Sequence, residues 1–304
     1  MNVQQKINPA VFLLLGAATF WGLNFHEAKI MLRYVNFIEA GFWRYLFGVG
    51  FLFLLQIRFL KHLSFQEIKK GWKGIFLVGF VGIFGFNIFF FWGLLYTSAL
   101  NAALIIGLTP ATTLLASRWI LKTPIHNRQK IGIAIAFAGV VYLLSKGRPD
   151  QLLQLQWSVG DLLIMIANLL FALQNVWIKQ YAAAHSNLVF TFITNVVCLL
   201  GFILLLPILG INTPPVTTFD FWLSAIGMGL LGTCAAYLFW NKGVQQLGAA
   251  NAGLFINAVP LATAIFALFF GERLEWYHAI SGGLILLGLL YVQKSAKEKS
   301  PANT

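Results

Sequence analysis

The short run "NFHEAK" places Asn24, His26 and Glu27 inside an otherwise apolar segment, and the next apolar segment carries Glu39 and Arg44. Ionisable groups are costly in hydrocarbon, so residues like these mark a binding pathway, a proton carrier or a buried ion pair. Arg44 offers a planar fork of donors that suits a substrate carboxylate. His26 or Glu27 can carry a coupling proton, because burial and a neighbouring Arg shift the proton affinity of such groups. Glu27 and Arg44 can equally be a structural pair that locks two helices. Glu39 lies five residues from Arg44 and does not share its helical face. Arg44 therefore needs a partner from another segment, and Glu27 is the candidate.

Neutral groups of the same kind are Trp21, Asn24, Asn87, Trp92 and Tyr96, followed later in the chain by Asn168, Gln174, Asn175, Tyr237, Trp240 and Asn257. A mostly apolar cavity with a few orienting amides is what a small-molecule site requires. Trp92, Tyr96 and Trp240 lie near segment ends, where aromatic residues anchor a helix at the membrane surface. The substrate-binding set expected from sequence is Trp21, Asn24, Asn87 and Asn257 with Arg44, and His26 and Glu27 are assigned to coupling or an ion pair.

The elements that carry these residues are long apolar runs. Of 304 residues 59% are hydrophobic and only 10% charged, with a mean hydropathy of +0.78. A soluble domain carries about a quarter charged residues. The pattern predicts an all-α integral membrane protein with ten transmembrane helices, near residues 9–31, 37–59, 73–95, 100–121, 129–145, 159–180, 187–209, 220–242, 248–270 and 277–294. The net charge of +12 invites a nucleic-acid partner, but its placement argues for none. Lys29, Arg33, Lys146, Arg148 and Arg273 fall on one side of the bilayer and Arg44 within a span, while the other Lys and Arg residues gather on the opposite side. That bias predicts an inner-membrane, multi-pass protein with both termini cytoplasmic. Cys198 and Cys234 fall inside spans and read as small apolar fillers.

The stretches "NAALIIGLTP" and "NAGLFINAVP", at 101–110 and 251–260, say nearly the same thing twice. Ala99, Asn101, Ala102, Leu104, Ile106, Pro110 and Thr113 all recur 150 positions later. The same offset pairs Gly79 with Gly229, Gly82 with Gly232 and Gly93 with Gly243. The chain thus divides into a first five-helix repeat, 1–150, and a second, 151–304. An odd number of spans per repeat turns the second copy upside down, the arrangement of many secondary transporters. His26, Glu27 and Arg44 break the symmetry, for their counterparts Val176, Trp177 and Thr194 are uncharged. Pro110 and Pro260 each free a carbonyl one turn earlier, as a hinge or as a static kink. Asn101 and Asn251 sit at span starts, where an amide caps a helix.

The segments "ATFWGLNF", "AGFWRYLFG", "FFFWGLLYTSALNAALIIGLTPATTLLAS" and "AAYLFWNKGVQQLGAANAGLFINAVPLATAIFALFFGERL" resemble the drug/metabolite transporter superfamily, EamA type, from about residue 9 to 294. The resemblance implies a ten-helix carrier with a central cavity lined by spans 1, 3, 4, 6, 8 and 9. It also implies a small-molecule substrate, such as an amino acid, another metabolite or a drug, with export slightly favoured. One departure is that the first half has "LKTPI" where the second has "GERL". The expected partners are a small-molecule substrate, the lipid bilayer and a coupling proton. No cofactor or metal is expected, since there is no G-x-x-x-x-G-K-[ST] loop, H-E-x-x-H pair or G-x-S-x-G. An enzyme is therefore disfavoured. A lipid-intermediate flippase and a sensor or scaffold without turnover are the competing functions.

Overall fold

The structure is a computed structural model that describes residues 9–57, 65–148, 158–181, 186–209, 218–247 and 253–297. All regular structure among these residues is helical. In chain order the helices are α1 (Pro9–Met31), α2 (Phe37–Gln56), α3 (Phe65–Phe76), α4 (Gly85–Leu94), α5 (Ala99–Ile106), α6 (Thr109–Ile120), α7 (Asn127–Leu144), α8 (Val159–Tyr181), α9 (Asn187–Leu209), α10 (Phe219–Gly227), α11 (Ala236–Leu247), α12 (Ala258–Phe270) and α13 (Trp276–Lys297). A π-helical segment, Leu77–Phe84, joins α3 to α4, and another, Met228–Ala235, joins α10 to α11. Seven stretches among the described residues are long and apolar enough to cross a membrane: Pro9–Met31, Phe37–Gln56, Gly71–Leu94, Ala99–Ile120, Val159–Tyr181, Asn187–Leu209 and Phe219–Gly243. The chain is a multi-pass membrane protein. The other three expected spans fall on α7, α12 and α13.

Local chemistry sets the helix boundaries. Asn36 caps α2, its Oδ1 accepting from the backbone N–H groups of Ile38 and Glu39 at 3.0 Å each, while its amide donates to Glu39. Glu39 therefore serves a helix end. Ser98 caps α5 by accepting from the Asn101 N–H at 3.0 Å. This corrects the capping role expected of Asn101, whose side chain instead accepts from His278 Nε2 at 3.1 Å. Asn251 lies outside the described residues. Gly271 ends α12 with φ +75°, a left-handed conformation that glycine adopts without cost.

Pro110 sits in the first turn of α6, and the helix breaks just before it. The carbonyl it frees, that of Ile106, accepts a hydrogen bond of 2.5 Å from the Thr109 hydroxyl. Pro260 lies in the first turn of α12, directly after a 3₁₀ turn at Gly253–Asn257. The two breaks meet: a side chain at Gly107 would press on Pro260 at 3.1 Å.

The sequence offset of 150 reappears in contacts. Gly82 abuts Gln174, and Gly232 abuts Asn24, the counterpart of Gln174. Gly93 packs on Ile164, and Gly243 on Leu14, again counterparts. Both π-helical segments carry the paired glycines, 79 and 82 in one, 229 and 232 in the other. The first segment packs against α8 and α9, the second against α1 and α2. Small residues let backbones approach closely where lipid gives no hydrophobic drive to associate.

Candidate functional site

At the middle of the bundle the side chains of α1, α2, α4, α5, α8, α11 and the α12 region surround one cavity of about 40 Å³. That is room for a few waters. Its apolar wall is aromatic, with Trp21, Phe25, Phe86, Phe90, Phe171 and Tyr237, and Ile106 and Ile256 enter from the two proline breaks. Its polar wall is Arg44 and Asn24. Trp21 donates to the Gly232 carbonyl at 3.0 Å and packs edge-on to Phe171 and Tyr237.

Arg44 is 3% exposed and held by neutral groups. Its Nε donates to Thr233 Oγ1 at 3.1 Å and its Nη1 to Asn87 Oδ1 at 3.0 Å. Asn87 in turn donates to the Tyr45 hydroxyl at 2.7 Å and to the Ile83 carbonyl at 2.8 Å, which fixes its amide. Asn24 turns its oxygen to Arg44 Nη2 at 3.2 Å and donates to Glu27 Oε2 at 3.1 Å and to the Phe20 carbonyl. Glu27 is thus joined to Arg44 through Asn24 and not by a direct ion pair, which corrects the sequence expectation. The other Glu27 oxygen lies against Gly227, the last residue of α10.

His26 takes a different partner. Its Nδ1 lies 3.8 Å from Glu272 Oε1, its Nε2 lies 2.9 Å from the Thr263 carbonyl, and its ring stacks on Phe270 at 4.9 Å. Both ring nitrogens therefore face acceptors. Glu272 also accepts from the backbone N–H groups of Ala99 and Leu100, at 3.2 and 3.4 Å. A carboxylate there complements the positive end of α5. His26, Glu272 and the start of α5 thus form a latch at the end of the bundle where α1 finishes. The Thr97–Asp161 hydrogen bond lies at the same end, as do the bonds from Lys29 Nζ to the Leu94 and Thr97 carbonyls, 2.9 Å each.

Of the residues expected to bind substrate, Trp21, Asn24 and Arg44 line the cavity, and Asn87 stands one bond behind it. Asn257 does not reach it. It lines a separate groove of about 380 Å³ between α5, α12 and α13, together with Pro260 and His278, and its Oδ1 is buried without a hydrogen-bond partner. Trp240, expected at a membrane surface, is 4% exposed and packs 5.2 Å from Trp21. Sequence reasoning missed Thr233 and the phenylalanines of the aromatic wall, Phe25, Phe86, Phe90 and Phe171, which no motif distinguishes from ordinary packing. It also missed Glu272, for which the lone "GERL" was the available signal.

The family model described as the EamA-like transporter family matches twice, over residues 8–145 and 158–293. The chain belongs to the EamA-like transporter family. This EamA-like chain is 32% identical over 287 residues to the uncharacterized transporter YyaM of Bacillus subtilis (strain 168), covering 91% of each chain. It is 25% identical over 279 residues to an uncharacterized transporter of Archaeoglobus fulgidus, covering 90% of this chain and 95% of that one. A solved crystal structure, 18% identical, matches with a TM-score of 0.69 over 95% of this EamA-like chain and 99% of the other, which shows the fold alone. The cavity and latch described above are therefore those of a transporter-family protein.

Proposed function

We propose that this EamA-like protein is a secondary active carrier that moves a small metabolite across the inner membrane by alternating access, with export favoured and an amino acid among the cargoes its family resemblance implies. The observation that carries this reading is a buried guanidinium, Arg44, facing an aromatic cavity at the middle of the bundle. A charge kept at that depth marks a pathway for cargo. In this reading ten spans form two inverted five-helix repeats, 1–150 and 151–304, and both termini are cytoplasmic. The His26–Glu272 latch then faces outward, and its release opens α5 about the break at Gly107. Pro110 and Pro260 flank the cavity as its two hinges. Glu27, linked to Arg44 through Asn24, senses cargo and exchanges a coupling proton.

Reconstituted protein in proteoliposomes tests this. Uptake of a labelled amino-acid and metabolite panel is expected to respond to an imposed pH gradient, and Glu27→Gln to abolish that response while the folded protein persists. Gradient-independent flux in both proteins defeats the coupling role. Absence of flux for every compound defeats the carrier reading.

A further inference from the structure

We propose that the cargo is an organic anion, a small carboxylate with an apolar or aromatic body and no positive charge. This rests on the carrier reading, narrows its substrate to anions, and sets aside the zwitterionic amino acid named among the cargoes there. Among the described residues Arg44 is the one charged side chain on the cavity wall. Its three hydrogen bonds, to Thr233, Asn87 and Asn24, use three of the five N–H donors of a guanidinium. Among the described residues no carboxylate lies within ion-pair distance of it. The carboxylate that the charge of Arg44 reaches, Glu27, stands one residue removed behind Asn24, so the desolvation of the guanidinium is only partly offset. An anion entering the cavity supplies the rest and meets the free donors of the fork.

The same wall offers an ammonium group nothing comparable. Glu27 does not line the cavity: one oxygen is engaged by Asn24 and the other is packed against Gly227. Glu39 is bound to its helix cap, Asp161 to Thr97, and Glu272 to His26 and the start of α5. An ammonium is thus left with aromatic rings, several of which pack edge-to-face on one another. Trp21 meets Phe171 at 89° and Tyr237 at 73°, and Phe25 meets Phe90 at 75°. Edge-to-face packing places a positive ring edge on the electron-rich face that a cation would use. The charge balance of the wall therefore favours anions over zwitterions, and zwitterions over cations.

Three probes with a shared body separate these classes: 3-phenylpropionate, L-phenylalanine and phenethylamine. Binding of each to the purified full-length protein is measured by competition against labelled 3-phenylpropionate at pH 8. The acid is expected to bind at least tenfold more tightly than phenylalanine, and phenethylamine is expected not to compete. Arg44→Gln should weaken the acid at least tenfold, and Arg44→Lys should fall between, because an ammonium keeps the charge but loses the fork. Equal or tighter binding of phenylalanine or phenethylamine overturns the proposal, as does a failure of the acid to bind up to millimolar concentration. These comparisons use the unaltered protein, so they hold even where Arg44→Gln fails to fold. Counterflow of the acid in proteoliposomes separates the two claims: binding without counterflow leaves the anion preference of the site standing but refutes the carrier reading, and with it the assignment of the anion as cargo.

Discussion

Removing the Glu272 carboxylate should loosen one end of the bundle by a definable amount. In Glu272→Ala the N–H groups of Ala99 and Leu100 lose their side-chain acceptor, and His26 loses its acidic neighbour. Hydrogen bonds to charged groups are worth about 1.5–3 kcal/mol in good geometry. The contacts here, at 3.2 and 3.4 Å, lie at or beyond the long edge of the usual range, so the low end applies to the pair. The His26 contact at 3.8 Å, between a buried ring and a carboxylate 23% exposed, adds about 0.5 kcal/mol. The latch as a whole is then worth about 2 kcal/mol, which shifts an open-to-closed ratio about 30-fold. Spin labels at Tyr96 and Leu274, 57% and 49% exposed, report the separation of the α5 entrance from the α12–α13 turn. The native cysteines, Cys198 and Cys234, are buried and do not compete for label. Double electron–electron resonance should show the ratio of longer- to shorter-distance populations rising about 30-fold in Glu272→Ala and by less in Glu272→Gln, which keeps an acceptor oxygen. A change below about twofold refutes the latch.

Asn87→Leu should lower thermal stability in detergent by about 2–4 kcal/mol, because it leaves both the Arg44 donor and the Tyr45 hydroxyl without their buried partner; a near-neutral midpoint shift contradicts this. Gly232→Ala drives a methyl into the Asn24 amide and should cost about 1–3 kcal/mol, whereas alanine at Gly283, where nothing lies nearby, should be neutral in the same melt. Tyr34 donates to Asp220 at 2.7 Å, and that bond raises the phenol above its ordinary value near about 10. The stabilisation is complete below that value and fades as pH rises through the raised one. Ultraviolet titration should show one fewer late-titrating tyrosine in Asp220→Asn than in the unaltered protein.

The helices were legible because apolar runs of membrane length leave few alternatives, and so was the internal repeat, whose paired glycines fall on equivalent contacts. The π-helical segments were not. The π-helical segments hold small residues against neighbouring helices, Gly232 against Asn24 and Gly82 against Gln174, and one chain's pattern carries no trace of who the neighbour is. Trp21, Asn24 and Arg44 were recognised because polar groups in apolar spans are costly and few. Asn257 satisfied the same rule and yet faces a different groove, since polarity says nothing of which helix face turns inward. Glu27 and Arg44 were expected to touch. The intervening Asn24 depends on side-chain reach across α1 and α2, a distance that spacing along the sequence cannot supply.

The central claim is that one cavity at Arg44 opens to either side of the membrane in turn. Its most direct measurement is labelling of Ile106→Cys, a cavity-wall position at the α5 break, with a membrane-impermeant thiol reagent in right-side-out and inside-out vesicles. The account predicts reaction from both sides, with Glu272→Ala accelerating the outward-facing reaction and slowing the other. Reaction from one side only, unchanged by Glu272→Ala, would contradict it.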